Sequence, residues 1–560
     1  MLLRRIRQLG DKHAYLEPVC IGLGLFIIYN ATLPVNMAES HDSLSYLASI
    51  QGGENLWLFH PHHLLYSVLG KAFYEAWQFF GYVGDASIPL QELNIIFACM
   101  TIAALYVLLR NVLNGRWRSM LVCAAVAFSF GFWFYASTIE VYIIHLFFLF
   151  LSFSFLLLSF QRPTLRIFAL VGVCNALAIL FHQMNVLFAA TVLVAIVLNP
   201  GRRAIRDKVT AAAIYALCVS ILVFLAYIIP LASIIKPDSP GEALYWFTGY
   251  LHEGQWGKLE VLSPVKAVLG FSHTFIGGHF LFSIERLGSL ISSTLGGKFL
   301  VSQKFLVDHL SAFQAQALLL GSLPLVAVFI VALASYMRSW REIWREHYYL
   351  LILSIAWLVP YAIFILWWEP YNLEFWIATL IPIWLIALLP FFTSGLIVKM
   401  QRVFPRLMYM LLHLAIVCML LVNLFGSMLP LHSPERDYYL QKSSWYMDNA
   451  KTGDLIICSR YWLWGEYLKH YSGAEVMGVA EILIRDKDAA GLINRRISQI
   501  LDSGGLVYIT SDAVHPETTT LESYGIDMAD FISLWTRYQH SWVKIDIDTY
   551  DECYVLSAVK

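Results

Sequence analysis

Apolar runs of about 20 residues recur along most of this chain, and they leave it few ways to fold. A helix rising about 1.5 Å per residue needs roughly that length to cross the ~30 Å hydrocarbon core of a bilayer. The runs fall at 17–35, 90–109, 119–136, 140–160, 166–181, 184–199, 209–231, 314–336, 348–368, 374–395 and 407–429. With 59% hydrophobic and only 14% charged residues and a mean hydropathy of +0.63, the chain reads as an α-helical polytopic membrane protein. About 11 transmembrane helices are expected, so the two ends of the chain face opposite sides. The third and fourth runs, and the fifth and sixth, lie so close together that each pair also reads as one longer broken helix.

Lys and Arg placement sets the expected orientation. Alternate connections are basic: Arg4, Arg5, Arg7 and Lys12; Arg110, Arg116 and Arg118; Arg162 and Arg166; Arg202, Arg203, Arg206 and Lys208; Arg338, Arg341 and Arg345; Lys399, Arg402 and Arg406. The short connections at 137–139, 182–185 and 369–373 carry neither residue. The positive-inside rule puts the basic set in the cytoplasm. The first run is read as an uncleaved helix, since Val35-Asn36-Met37-Ala38 is a poor small-residue cleavage site.

Three pieces are then expected outside: a loop at 36–89, a loop at 232–313, and a separate domain at 430–560, leaving 1–429 as the transmembrane domain. In the last piece Asp454-Leu-Ile-Ile-Cys458 and Gly505-Leu-Val-Tyr-Ile-Thr510 read as short buried strands between helical stretches, a small extracytoplasmic α/β domain. It carries 19 acidic against 12 basic residues, which solubilises its surface or recognises an acceptor. Six of the eight cysteines lie in the apolar runs, so Cys458 and Cys553 are the one outer pair open to a disulfide. Walker, dinucleotide-binding and CxxC metal motifs are all missing from the sequence, and no nucleic-acid partner is expected.

The ionisable residues near the expected outer helix ends are Asp42, His60, His62, His63, Glu140, His182, Glu369 and Glu374. Any one of them is tolerated at a helix end, but their common side points to function. Their order, Asp42-Ser43, then His60-Pro-His-His-Leu-Leu-Tyr66, then Ser137-Thr-Ile-Glu140-Val-Tyr142, then Phe181-His182-Gln183, resembles membrane glycosyltransferases of the GT-C superfold. Within these it is most similar to proteins like the protein O-mannosyltransferases. The likeness covers roughly the first 200 residues, with an echo at Trp367-Trp-Glu-Pro-Tyr-Asn372-Leu-Glu374-Phe-Trp376.

The resemblance implies transfer of a sugar from a polyprenyl-phosphate donor, with Asp42 as catalytic base and Glu140 as a second acid supporting the site. Two departures stand out. Many relatives carry adjacent acids in the first loop, whereas here the partner is Glu39, which leaves open a Mg²⁺ or Mn²⁺ ion held by Asp42 and Glu140. The stretch His60 to Tyr66 also differs, which leaves the donor headgroup open.

Elementary chemistry agrees with that implication. Nucleotide sugars are cytosolic, so an outward-facing transferase needs a donor that the membrane delivers. A phosphate leaves as a stable anion without needing a proton, so one carboxylate acting as general base on an acceptor hydroxyl suffices for inversion. The acceptor class, protein, lipid or glycan, is open. Lipid phosphate needs cationic or hydrogen-bonding partners, for which His60, His63, Lys258 and Arg286 are candidates. Glu39, His62, Tyr66, His182, Gln183, Asn372 and Glu374 complete the expected substrate-binding set. His60, His62 and His63 also read as a metal cluster, against which stand the intervening Pro61 and the lack of a local carboxylate.

Trp57, Trp133, Tyr135, Trp246, Trp256, Trp367, Trp368 and Trp376 read as interfacial belts or as sugar-stacking rings. The stretch Gly241 to Trp256 reads as a substrate lid or as an amphipathic surface helix. Two rival functions share the topology: a lipid or polysaccharide transporter or flippase, and an outer-face glycan polymerase or ligase. Transport fits less well, because no inverted repeat is visible and the buried acids gather on one side. The expected location is a bacterial inner membrane with the site facing the periplasm or exterior, or an ER membrane with the site facing the lumen.

Overall fold

Helix satisfies every backbone polar group within its own segment, which is why apolar runs facing lipid adopt it. A computed structural model describes residues 16–52, 58–113, 115–202, 204–252, 257–295, 300–394, 403–486, 488–516, 521, 525–538, 541–547 and 551–557. The N-terminal basic residues, Trp57, Arg203, Trp256, Lys399 and Arg402 lie outside the described residues. The chain divides into two compact units, 1–34 with 49–432, and 35–48 with 433–560. The expected first loop is therefore shared between them.

Each of the eleven expected segments of the first unit coincides with an apolar helix or with part of one. Among the described residues six helices are long and apolar enough to cross a membrane: Ser87–Val112, Tyr142–Ser159, Ile205–Ile235, Ala312–Trp368, Leu373–Phe392 and Pro405–His432. Arg116–Ala127 and Phe130–Ser137 add a seventh if this pair, bent by 67°, is one span. Leu16–Asn30, Leu165–Phe181 and Gln183–Leu198 are apolar but shorter. The 57-residue helix Ala312–Trp368 has non-helical dihedrals at Ser339 and His347, between the two runs that the sequence separates.

Leu373–Phe392 forms the middle of this unit, with nearly all of its residues buried. It packs on Ala312–Trp368 and on the bent pair. At the bend, buried side chains take up the Phe128 carbonyl and the Ser129 hydroxyl. Asn423 Nδ2 donates to Phe128 O at 2.8 Å, and Trp384 Nε1 donates to Ser129 Oγ at 2.9 Å. Asn423 also donates to Phe275 O at 2.8 Å and accepts from Gly277 N at 3.0 Å, which ties the second loop to the same point.

The second unit carries a five-stranded sheet in the order β2-β1-β3-β5-β4, where β1 is Leu455–Cys458, β2 Glu475–Gly478, β3 Val507–Thr510, β4 Val543–Ile547 and β5 Asp551–Leu556. β2, β1 and β3 are parallel, while β5 and β4 add antiparallel pairs. Strands inside a parallel sheet are covered on both faces. Accordingly Leu-Ile-Ile-Cys of β1 and Val-Tyr-Ile-Thr of β3, the two strands expected from sequence, are wholly buried. Ile493, Ile497 and Ile500 of the helix Ala489–Asp502 pack with Leu455, Ile457, Val507, Phe531 and Trp535 in its core.

The sheet also corrects the cysteine reading. Cys458 and Cys553 are both free thiols, on β1 and β5 with β3 between them. Two strand spacings separate them by about 9–10 Å, beyond the reach of a disulfide.

Candidate functional site

The expected site residues fall into both units. In the first, Glu140 sits in the break between Phe130–Ser137 and Tyr142–Ser159, and it is 1% exposed. Gln91 and Asn94, three residues apart on one face of Ser87–Val112, hold that break. Gln91 Nε2 donates to Ser137 O at 3.0 Å, and Asn94 Nδ2 donates to Thr138 O at 2.6 Å and Glu140 O at 2.7 Å. The fully buried Tyr66 hydroxyl lies beside Glu140 and Asn94.

Glu374 occupies the first turn of Leu373–Phe392, where a carboxylate complements the positive end of the helix dipole. Tyr135 donates to its Oε1 at 3.2 Å and Tyr142 to its Oε2 at 2.9 Å. Asn372, the N-cap, accepts from Glu374 N at 3.0 Å and donates to Oε2 at 3.2 Å. Its amide also reaches Glu369 Oε2 at 2.9 Å.

His60, His62, His63 and His182 gather in one place. Ring centroids lie 5.4 Å apart for His60 and His62, 5.5 Å for His60 and His63, and 4.8 Å for His63 and His182. The tight turn Pro61–His63 presents the first three. Gln183 Nε2 pins that turn by donating to Pro61 O at 2.9 Å and to the Tyr227 hydroxyl at 3.0 Å. Burial lowers His60 to about 3 and His62 to about 4, with His62 also opposing protonation of His60, so this turn offers neutral imidazoles at pH 7. Tyr142 joins the groups, since its ring lies 5.4 Å from that of His182 while its hydroxyl holds Glu374.

His145, one turn beyond Tyr142, is fully buried with its ring 5.3 Å from His182. Tyr135, expected as a belt or sugar-stacking ring, instead holds a site acid, and sequence reasoning missed His145, for which the three-residue step from Tyr142 was the available signal. Arg286 is exposed in the first turn of Glu285–Leu295. Pro240–His252 is helical, and the rest of the expected lid, 253–256, lies outside the described residues.

Asp42 and Glu39 belong to the second unit. Asp42 immediately precedes the helix Ser43–Gly52, and its carbonyl accepts from Tyr46 N at 3.0 Å. His41 before it adopts a left-handed φ of 57°. Trp462 Nε1 lies 3.5 Å from Asp42 Oδ1. Burial raises the Asp42 carboxyl above its usual range, against the lowering effects of His41 and of the Trp462 hydrogen bond. A carboxylate so raised is a better proton acceptor near neutral pH. Glu39 N donates to Asn36 Oδ1 at 3.2 Å.

Glu466, which sequence reasoning also missed, accepts from Ser45 Oγ and, at 3.2 Å, from Leu463 N. Burial lifts it to about 7, with the neighbouring Asp42 charge adding to the rise.

No protein-family model matches this chain, and no curated protein matches it. Among solved structures it is similar to ArnT from Cupriavidus metallidurans bound to undecaprenyl phosphate, with a TM-score of 0.55 and 11% identity over 98% of each chain. The apo structure of the same protein gives a TM-score of 0.54 and 11% identity over 97% of each chain. The likeness supports the superfold expected from the motifs without extending to the O-mannosyltransferase-like subtype. This chain is a multi-pass membrane protein with the GT-C fold and a small C-terminal α/β unit.

Proposed function

We propose that the protein is an inverting glycosyltransferase that moves a sugar from a polyprenyl-phosphate donor to an acceptor hydroxyl at the outer face of the membrane. The observation that carries this reading is the likeness along 98% of the chain to a structure bound to undecaprenyl phosphate. It is supported by the gathering of His60, His62, His63 and His182, which suits a headgroup that needs hydrogen bonds.

In this reading the Asp42 carboxylate takes the proton of the acceptor hydroxyl while that oxygen bonds to the anomeric carbon. The bond from that carbon to the phosphate oxygen breaks on the opposite face, and polyprenyl phosphate leaves with the electron pair. Within the first unit, Gln183 positions the histidine turn for the donor headgroup, Tyr66 lies beside Glu140 and Asn94, and Asn372 caps the helix that carries Glu374. No step in this sequence needs Mg²⁺ or Mn²⁺, since the leaving group is already a stable anion. The basic connections support a cytoplasmic N-terminus and an extracytoplasmic C-terminal unit.

A transfer assay with radiolabelled polyprenyl-phosphate sugar on the purified, detergent-solubilised chain tests the proposal. Wild type turns over while Asp42→Asn does not, and EDTA leaves the rate unchanged. Full activity in Asp42→Asn removes the assignment of the base. Turnover that needs a sealed bilayer favours the transporter instead.

A further inference from the structure

We propose that Trp462 is a positioning residue for Asp42, and that the turn Tyr461–Gly465 is the device by which the C-terminal unit sets the orientation of that carboxylate. The inference rests on the reading of Asp42 as the base, and it gives the C-terminal unit a part in the reaction.

The geometry points to it through several independent contacts. Asp42 follows a residue in the left-handed region, His41, and directly precedes a helix. The indole N–H of Trp462 reaches its carboxylate at 3.5 Å. The indole has two further neighbours. The His41 ring lies 5.8 Å from it, and the Arg460 guanidinium sits 5.2 Å from its centroid, within cation–π range.

The backbone that carries Trp462 is strained and strapped. Leu463 adopts φ 69° and ψ −75°, the tight three-residue turn that side chains other than glycine rarely tolerate. Such a conformation persists only where its surroundings over-determine it. Two carboxylates do so here. Glu481 accepts from Tyr461 N at 2.9 Å and from Trp462 N at 3.4 Å, and Glu466 accepts from Leu463 N at 3.2 Å. Glu466 also accepts from Ser45, three residues after Asp42, so one side chain ties the turn to the segment it orients.

A second tie runs from Met37 N to the Tyr467 hydroxyl at 2.9 Å and from that hydroxyl to Asp437 Oδ2 at 2.7 Å. A turn needed only to link β1 to the following helix requires none of this strain.

The test uses the full chain in detergent with the labelled donor. Trp462→Phe keeps the ring and its packing while removing the N–H, and Glu466→Gln weakens the tie to Ser45 and Leu463. The expected result for Trp462→Phe is a kcat about tenfold lower, with the donor KM within about twofold of wild type and an unchanged melting temperature. Glu466→Gln lowers kcat in the same way and less steeply.

Wild-type kcat in Trp462→Phe, with Asp42→Asn inactive, overturns this inference and leaves the base assignment standing. A loss of kcat matched by a fall in melting temperature, or a rise in donor KM alone, assigns Trp462 to packing or donor binding and overturns it too. Full activity in Asp42→Asn removes the reading beneath it.

Discussion

The indole nitrogen of Trp462 meets the carboxylate of Asp42 across 420 residues of sequence. The segment 35–48 folds with 433–560, so the acid that opens the chain's first loop is held by the turn after β1. A half-buried carboxylate with an indole N–H beside it is partly withdrawn from water and given a preferred direction, two properties a general base uses.

Glu374 is the most heavily bonded of the expected site acids. Glu374→Ala removes the acceptor shared by the hydroxyls of Tyr135 and Tyr142, both nearly fully buried, while the Asn372 amide keeps Glu369. Each hydrogen bond lost there costs about 1–3 kcal/mol, so a loss of roughly 2–5 kcal/mol is expected. Glu374→Gln retains an acceptor oxygen and loses less. Unfolding midpoints of both variants in detergent check the order.

Asn423 serves the bend at Phe128–Ser129 in the same way. Asn423→Leu keeps the volume while leaving Phe128 O, Phe275 O and Gly277 N without this partner in a fully buried site. In a region without water the expected penalty is about 3 kcal/mol or more, read as a lowered unfolding midpoint in detergent. Asn423→Gln recovers little, because the extra methylene displaces the amide from three partners at once.

The histidine turn makes stability pH-dependent. His60 and His62 are lowered by burial to about 3 and about 4 from an ordinary 6.5. The unfolded chain therefore binds protons that the folded chain refuses. Their contribution is present above pH 6.5 and is lost as pH falls toward 4, with a slope of at most about 1.4 kcal/mol per unit for each imidazole. Melting temperatures measured between pH 4.5 and 7.5 should fall on the acid side, and the double variant His60→Gln with His62→Gln should flatten that slope.

Much of this was legible in sequence because it is local. Apolar length pointed to the helices, and short continuous apolar runs to β1 and β3. The motif from His60 to Tyr66 and the pair His182-Gln183 named residues that the fold brings together. Three things were not legible, each for a physical reason. The bend at Phe128–Ser129 is held by Asn423 and Trp384, which are distant in sequence. The separation of Cys458 from Cys553 depends on strand order, which spacing does not encode. Trp462 and Glu466 lie in a stretch that reads only as part of the helical connection between two strands, and the fold returns it to Asp42.

Glu466 gives the last prediction, with the opposite sign to the histidines. Burial lifts its carboxyl from an ordinary 4.5 to about 7, and the Asp42 charge opposes its ionisation as well. Folding therefore favours the protonated acid. Its stabilising contribution is fully present below pH 4.5 and is lost as pH rises through about 7, because the folded chain must then give up a proton it holds more tightly than the unfolded chain does. Glu466→Gln mimics the protonated acid at every pH. Measured against wild type at each pH, the melting temperature of the variant should rise from pH 5 to pH 8, because wild type alone loses stability there, while the variant turns over more slowly at both. A difference that falls with pH instead would show that Glu466 is held as a carboxylate.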